Sequence, residues 1–180
     1  MVEATSDAQV APNMVSPMPQ KTDALLTTAQ LENFGLKSPE GFGKHYVLDT
    51  NVISELRQGK PNQSTEVRAW AATMPASQLF ISAICLLELE KGVLALERRT
   101  PPQGSALRAW LIGVREAFTG RILPFTGNTA ILCAAMHVPN PRSERDAMIA
   151  ATALEHGMTV VTRNMADFAD TGVKLINPFA

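Results

Sequence analysis

Cysteine is nearly missing from this chain of 180 residues: Cys85 and Cys133 are the only two, each in an apolar stretch of helical period with no second Cys or His at zinc-like spacing. A disulfide framework and a zinc site are therefore excluded, and two buried thiols are expected. Long apolar runs are missing too. None approaches the roughly 20 residues that a bilayer-spanning helix needs, and the N-terminus has no basic start followed by an apolar stretch and a small-residue cleavage site. The expectation is a soluble, cytoplasmic protein with no membrane partner. The sequence also lacks a glycine-rich phosphate loop, a Cys-His pair and a Ser-His-Asp arrangement, which leaves covalent catalysis little support. Nor is there an excess of positive charge: 16 Lys and Arg face 17 Asp and Glu, a formal net charge of −1, unlike a generically basic nucleic-acid binder.

The charge is unevenly spread. Residues 1–44 hold three of the basic groups and five of the acids, leaving 13 against 12 from His45 onward. If four of those 12 acids were taken up by a cation, the remaining surface would be moderately basic. Residues 1–44 are also rich in Ser, Thr, Pro, Gln and Ala, without sustained apolar periodicity outside Ala24–Leu31. They read as a mobile N-terminal extension, with one short helix over Asp23–Phe34.

From His45 to the end, short apolar runs alternate with longer segments of helical period, the pattern of βαβ units. Strands are expected at Tyr46–Leu48, Leu79–Ile81, Arg121–Leu123, Thr159–Val161 and Val173–Ile176, and helices at 52–57, 64–73, 83–97, 105–118, 127–136 and 144–156. Pro101-Pro102 and Pro139-Asn140-Pro141 break successive helices, and Gly157 reads as a helix C-cap. The fold class is α/β, a three-layer α/β/α domain over residues 45–180 around a central, mainly parallel five-stranded sheet.

Four acids stand out by position, each with a structural alternative. Asp49 ends the first strand, where open parallel sheets bind ligands, yet it or Thr50 or Asn51 could simply cap the next helix. Glu88 shares a helix face with Ile84, Gly92 and Ala95; Gly92 would let a neighbour or ligand come close, whereas a solvated glutamate is the plainer reading. Asp146 lies on the core-facing stripe in the first turn of its helix, favoured there by the dipole, but Ser143-Glu144-Arg145-Asp146 also fits a capping box. Asp167 follows the Thr159–Thr162 strand through the turn Arg163-Asn164-Met165-Ala166, where turn aspartates are common.

Taken together, the four predict one cluster. Carboxylates converging in a partly buried site repel and take up protons unless a cation neutralises them. An all-oxygen set suits Mg²⁺ or Mn²⁺, ions that serve phosphodiester hydrolysis.

The segments Val47-Leu48-Asp49-Thr50-Asn51-Val52-Ile53-Ser54-Glu55-Leu56, Ser82-Ala83-Ile84 with Glu88-Leu89-Glu90-Lys91-Gly92, Arg145-Asp146-Ala147-Met148-Ile149-Ala150-Ala151-Thr152-Ala153, and Val161-Thr162-Arg163-Asn164-Met165-Ala166-Asp167-Phe168, with Asn177-Pro178 near the end, resemble the PIN-domain ribonucleases. Within them, the likeness is to the VapC-type toxins of bacterial toxin–antitoxin pairs. The match in order and spacing runs over about residues 46–179. By that resemblance the family's acidic quartet falls on Asp49, Glu88, Asp146 and Asp167, with Asn51 and Asn164 positioning the acids. The resemblance further implies Mg²⁺-dependent endonucleolytic cleavage of RNA, a homodimer, inhibition by a cognate antitoxin, and operator DNA bound through that antitoxin. The extension before His45 departs from the family pattern, which starts almost at the first strand.

Arg163 and Arg145 are candidate phosphate contacts, with Arg142 beside them, against the reading of solvated arginines. His137 and His156 are weak candidates for ligands, and Trp70 and Trp110 read as core or dimer-interface residues rather than base-stacking platforms. Two other readings stay open: a PIN-like module that binds RNA or antitoxin without cutting, and a nuclease directed at DNA, since carboxylates do not read the 2′-OH. An aspartyl-phosphate phosphatase is disfavoured because Asn51 stands where a second acid is wanted.

Overall fold

The computed structural model describes residues 45–180; the extension and the helix expected at 23–34 lie outside them. The five apolar runs form β1 (Tyr46–Leu48), β2 (Leu79–Ser82), β3 (Ile122–Leu123), β4 (Thr159–Val161) and β5 (Leu175–Ile176). Every pairing is parallel, in the order β3-β2-β1-β4-β5. Consecutive residues Val47 and Leu48 in β1, and Val160 and Val161 in β4, are all fully buried. Both faces of the sheet centre are therefore covered, which explains continuous apolar runs in place of alternation.

The helices are α1 (Thr50–Glu55), α2 (Thr65–Thr73), α3 (Ala83–Arg99), α4 (Pro101–Ala117), α5 (Gly127–Met136) and α6 (Glu144–Glu155). Right-handed crossovers put the connections running from β1 out to β3 on one face and the return from β3 to β4 on the other, giving the three layers. In α6, Ala147, Ala150, Ala151 and Ala153 are fully buried beside Ile149 and Leu154; their short side chains let the helix axis lie close to the sheet. Gly157 (φ 62°) then turns the chain into β4, a left-handed conformation that costs a residue with a Cβ about 1 kcal/mol or more.

Two helix starts differ from expectation by more than one residue. α1 begins at Thr50 rather than near Val52, because Asp49 itself is the N-cap and accepts from the Thr50 amide. α4 begins at Pro101 rather than 105, with the prolines in its first turn, where the N–H they lack has no intrahelical partner anyway. The α3–α4 hairpin is tight enough that a Cβ on Gly104 would stand 2.6 Å from the Glu97 nitrogen. Gly104→Ala must push the two helices apart, and we expect it to cost about 1–3 kcal/mol, read as a lower urea midpoint.

Candidate active site

The parallel sheet brings four acids to its carboxyl end. Asp49 directly follows β1, and Asp167 lies in the 3₁₀ turn Met165–Phe168 beyond β4. Glu88 sits in the second turn of the helix that leaves β2. Asp146 opens α6, which runs back along the sheet before β4, so its first turn lies at the carboxyl end of the strands. The order of the strands reverses at β1, and the crevice beyond β1 and β4 is the switch point where such sheets bind ligands.

Asp49 is 5% exposed and held on both oxygens. Thr50 N donates to Oδ1 at 2.6 Å, while Asn51 Nδ2 at 2.5 Å and Thr162 Oγ1 at 2.6 Å donate to Oδ2. The capping and site readings of Asp49 are thus compatible: one oxygen caps α1, the other faces β4. Asn51 in turn accepts from the Arg163 amide at 3.2 Å, which ties α1 to the loop after β4. Asn164 meets the network through its backbone, donating to Thr162 Oγ1 at 3.0 Å.

Glu88 accepts from Thr50 Oγ1 at 2.6 Å and pairs with Arg145 at 3.1 Å. Thr50 therefore bridges Asp49 and Glu88, one through its amide and the other through its hydroxyl. Neither Thr50 nor Thr162 stood out in the sequence as a site residue. The available signal was a hydroxyl residue next to, or directly after, each of the two central strands' ends. Of the two expectations for Gly92, the close neighbour is corrected: apart from its own helix backbone, nothing lies within 4 Å of a Cβ built there, so that turn of α3 faces open space, which a ligand could enter. The capping-box alternative for Asp146 also falls away, since Ser143 makes no side-chain capping bond to α6.

Burial pushes the Asp49 carboxyl up from its ordinary value, against the pull of its Thr162 and Thr50 hydrogen bonds, and the charges of Asp146 and Glu88 push it further. Asp146 is raised first by burial and then by Asp167 and Glu88, opposed by Ser143 and Arg145. Asp146 thus links the acids, facing the charges of Asp167 and Glu88 and itself acting on Asp49, although among the described residues no three His, Cys, Asp or Glu side chains are gathered as a ready-made ion cage. An open polar depression of about 410 Å³ lined by Glu88, Ser143, Glu144, Arg145 and Asp146 gives access from solvent.

A raised folded pKa means that the charge penalises the folded state above that pKa, and that the penalty fades as pH falls toward the ordinary 3.8. We expect Asp146→Asn to raise the melting temperature of cation-free protein at pH 8. Solvent at this half-buried position limits the gain to about 0.5–1 kcal/mol. The difference from the parent should shrink steadily toward pH 4 in thermal melts; a gain independent of pH would contradict this origin.

Other candidates fall elsewhere. Arg163 is exposed, with its guanidinium 5.1 Å from the Phe179 ring centroid. Arg142 is engaged structurally, donating to the carbonyls of Met136, Ala169 and Asp170. His137 Nδ1 accepts from the Arg142 amide at 3.4 Å and His156 is the C-cap of α6. Trp70 packs edge-on against Tyr46. Glu55 is a buried acid of a different kind: Lys60 and the Ser64 amide hold it below the usual carboxylate range and clasp the loop between α1 and α2.

An all-parallel sheet with this acidic end is the architecture of a PIN domain, and the PIN domain family model matches residues 46–174. The chain belongs to the PIN-domain family. It is 37% identical over 142 residues to the VapC ribonuclease Y4jK of Sinorhizobium fredii, covering 74% of this chain and 96% of that protein. Toxin FitB of Neisseria gonorrhoeae is 34% identical over 139 residues, covering 74% of this chain and 97% of FitB. The structure of FitAB bound to an IR36 DNA fragment superposes with a TM-score of 0.67 and 33% identity over 75% of this chain and 96% of that one. These likenesses place the chain among the VapC-type members. No helix among the described residues is long and apolar enough to cross a membrane.

Proposed function

We propose that this PIN domain is a Mg²⁺-dependent endoribonuclease, the toxin of a VapBC-type pair acting in the cytoplasm. The observation that carries the reading is the pinned Asp49, whose pKa is raised first by burial and only then by the charges of Asp146 and Glu88. A cluster of carboxylates fits a hard divalent cation, and the adjacent Cys85 thiol, pushed up to about 12 by burial, stays protonated and does not compete for it. Asp49 and Asp146 would hold the ion, with Glu88 and Asp167 completing the set. Mg²⁺, or Mn²⁺ in its place, supplies a Lewis acid for a phosphoryl oxygen and lowers the pKa of water.

The chain's own residues prepare this centre. Asn51 and Thr162 orient Asp49 by hydrogen bonds; Thr50 couples it to Glu88. Arg163, exposed beside Phe179 in the loop whose amide bonds Asn51, would be the candidate to meet an RNA phosphate. Arg145 can do the same by leaving Glu88, because an ion pair whose arginine is 56% exposed contributes less than about 1 kcal/mol and exchanges readily. A homodimer, a cognate antitoxin that blocks the centre, and operator DNA reached through the antitoxin complete the proposal, in keeping with FitB's description as a toxin and with FitAB bound to DNA.

The test is cleavage of a mixed RNA pool by purified protein in Mg²⁺ or in EDTA. Fragments that appear in Mg²⁺ alone support the reading. Retention of RNA without cleavage, across many RNAs and free of antitoxin, would instead favour a binding module.

A further inference from the structure

A second cavity, of about 300 Å³, lies between α1, α3 and α4 and shares Thr50 and Glu88 with the acidic centre. Its apolar wall is Leu89, Leu107 and Trp110, and its polar rim is Ser54, Arg57 and Lys60. The Arg57 guanidinium carbon stands 6.0 Å from the Trp110 ring centroid. Lys60 is paired with Glu55, whereas Arg57 forms no ion pair among the described residues.

Resting on the ribonuclease reading, we infer that this cavity is a nucleobase subsite: the base of a nucleotide next to the scissile phosphate stacks on Trp110 under Arg57. Stacked planes sit about 3.5 Å apart, so a base between the two groups needs a separation of about 7 Å, which the present 6.0 Å reaches by opening about 1 Å. Aromatic rings and arginine planes are the surfaces on which unpaired RNA bases stack. An occupant that carries negative charge would complement Arg57, and it would have to lie beside the carboxylates. A single-stranded RNA segment passing through the centre meets both conditions. Gly92 contributes room: it lines the same cavity, and a Cβ there meets nothing within 4 Å. A larger side chain would enter the space a base requires.

The chain has two tryptophans, so Trp70→Phe leaves Trp110 as its one indole reporter. Short single-stranded RNA oligonucleotides, intact or abasic at one position in turn, are titrated in EDTA while Trp110 fluorescence is followed. Saturable quenching is expected, and loss of the base at one position should weaken binding about 10-fold, as removal of a stacking partner does. Gly92→Met, a change that favours the helix, should weaken intact RNA by the same factor and leave the abasic oligonucleotide unaffected. Absent quenching, or equal binding of intact and abasic RNA, overturns the subsite. So does quenching by an acidic amphipathic peptide without quenching by RNA, which would assign the groove to a protein segment. The two readings fail separately. Mg²⁺-dependent cleavage that ignores base removal retires the subsite alone; base-dependent quenching without cleavage retires the nuclease alone.

Discussion

Asp49→Asn is expected to reduce RNA cleavage about 1,000-fold while leaving a folded protein. The charge that would hold a divalent cation disappears, and the amide cannot reproduce the carboxylate's partners. Its oxygen still accepts from Thr50 N, but its nitrogen then faces Asn51 Nδ2, so two donors meet where one donor met an acceptor. The fold should not suffer in proportion, because burial already holds the Asp49 carboxyl above its ordinary pKa and a neutral group removes that penalty at pH 7. Circular dichroism and a thermal melt alongside the cleavage assay decide the point. Cleavage within tenfold of the parent would show that Asp49 is only a helix cap. Thr162→Val separates positioning from chemistry: losing the 2.6 Å bond to Asp49 should cost about 1 kcal/mol of stability and also raise the Mg²⁺ concentration needed for half-maximal cleavage. A purely structural hydroxyl would change the melt and leave the Mg²⁺ midpoint alone.

Phe168→Ala should be the most damaging substitution for stability, at about 3–5 kcal/mol, a large share of the roughly 5–15 kcal/mol typical of a domain. Phe168 is 1% exposed and is among the largest fully buried side chains. It closes the 3₁₀ turn that carries Asp167, and its carbonyl accepts from Thr171 Oγ1 at 2.7 Å. The void would therefore open under the turn that carries one of the four acids. A fall in the urea midpoint, with cleavage declining even where the protein is folded, is the expected result. Phe168→Leu, which keeps most of the volume, should lose about 1 kcal/mol. Equal stability of the alanine variant and the parent would mean that the turn is not anchored by this ring.

Much of this arrangement was legible along the chain. Tyr46-Val47-Leu48 and Thr159-Val160-Val161 read as strands because short apolar runs bounded by polar turns have few other uses, and Gly157 marked the end of α6 because its backbone conformation is a local matter. Pro101-Pro102 does separate α3 from α4, but the first turn of α4 was missed because the prolines are also a permitted helix start. Gly92 was expected to admit a neighbour or a ligand, and the close helix contact falls at Gly104 instead: a glycine's spacing on one helix does not reveal where the next helix lies.

The sequence by itself determined the alternation of strand and helix and placed Asp49, Asp146 and Asp167 at element ends, since periodicity, capping and turn chemistry act over a few neighbouring residues. Only the tertiary structure decided that β1 lies between β2 and β4. That order joins Asp49 to Thr162 across 113 positions of sequence, links Thr50 to Glu88 and sets Arg57 over Trp110. Strand order and helix docking arise from burying apolar faces between segments far apart in the chain, and no local pattern encodes which segments those will be.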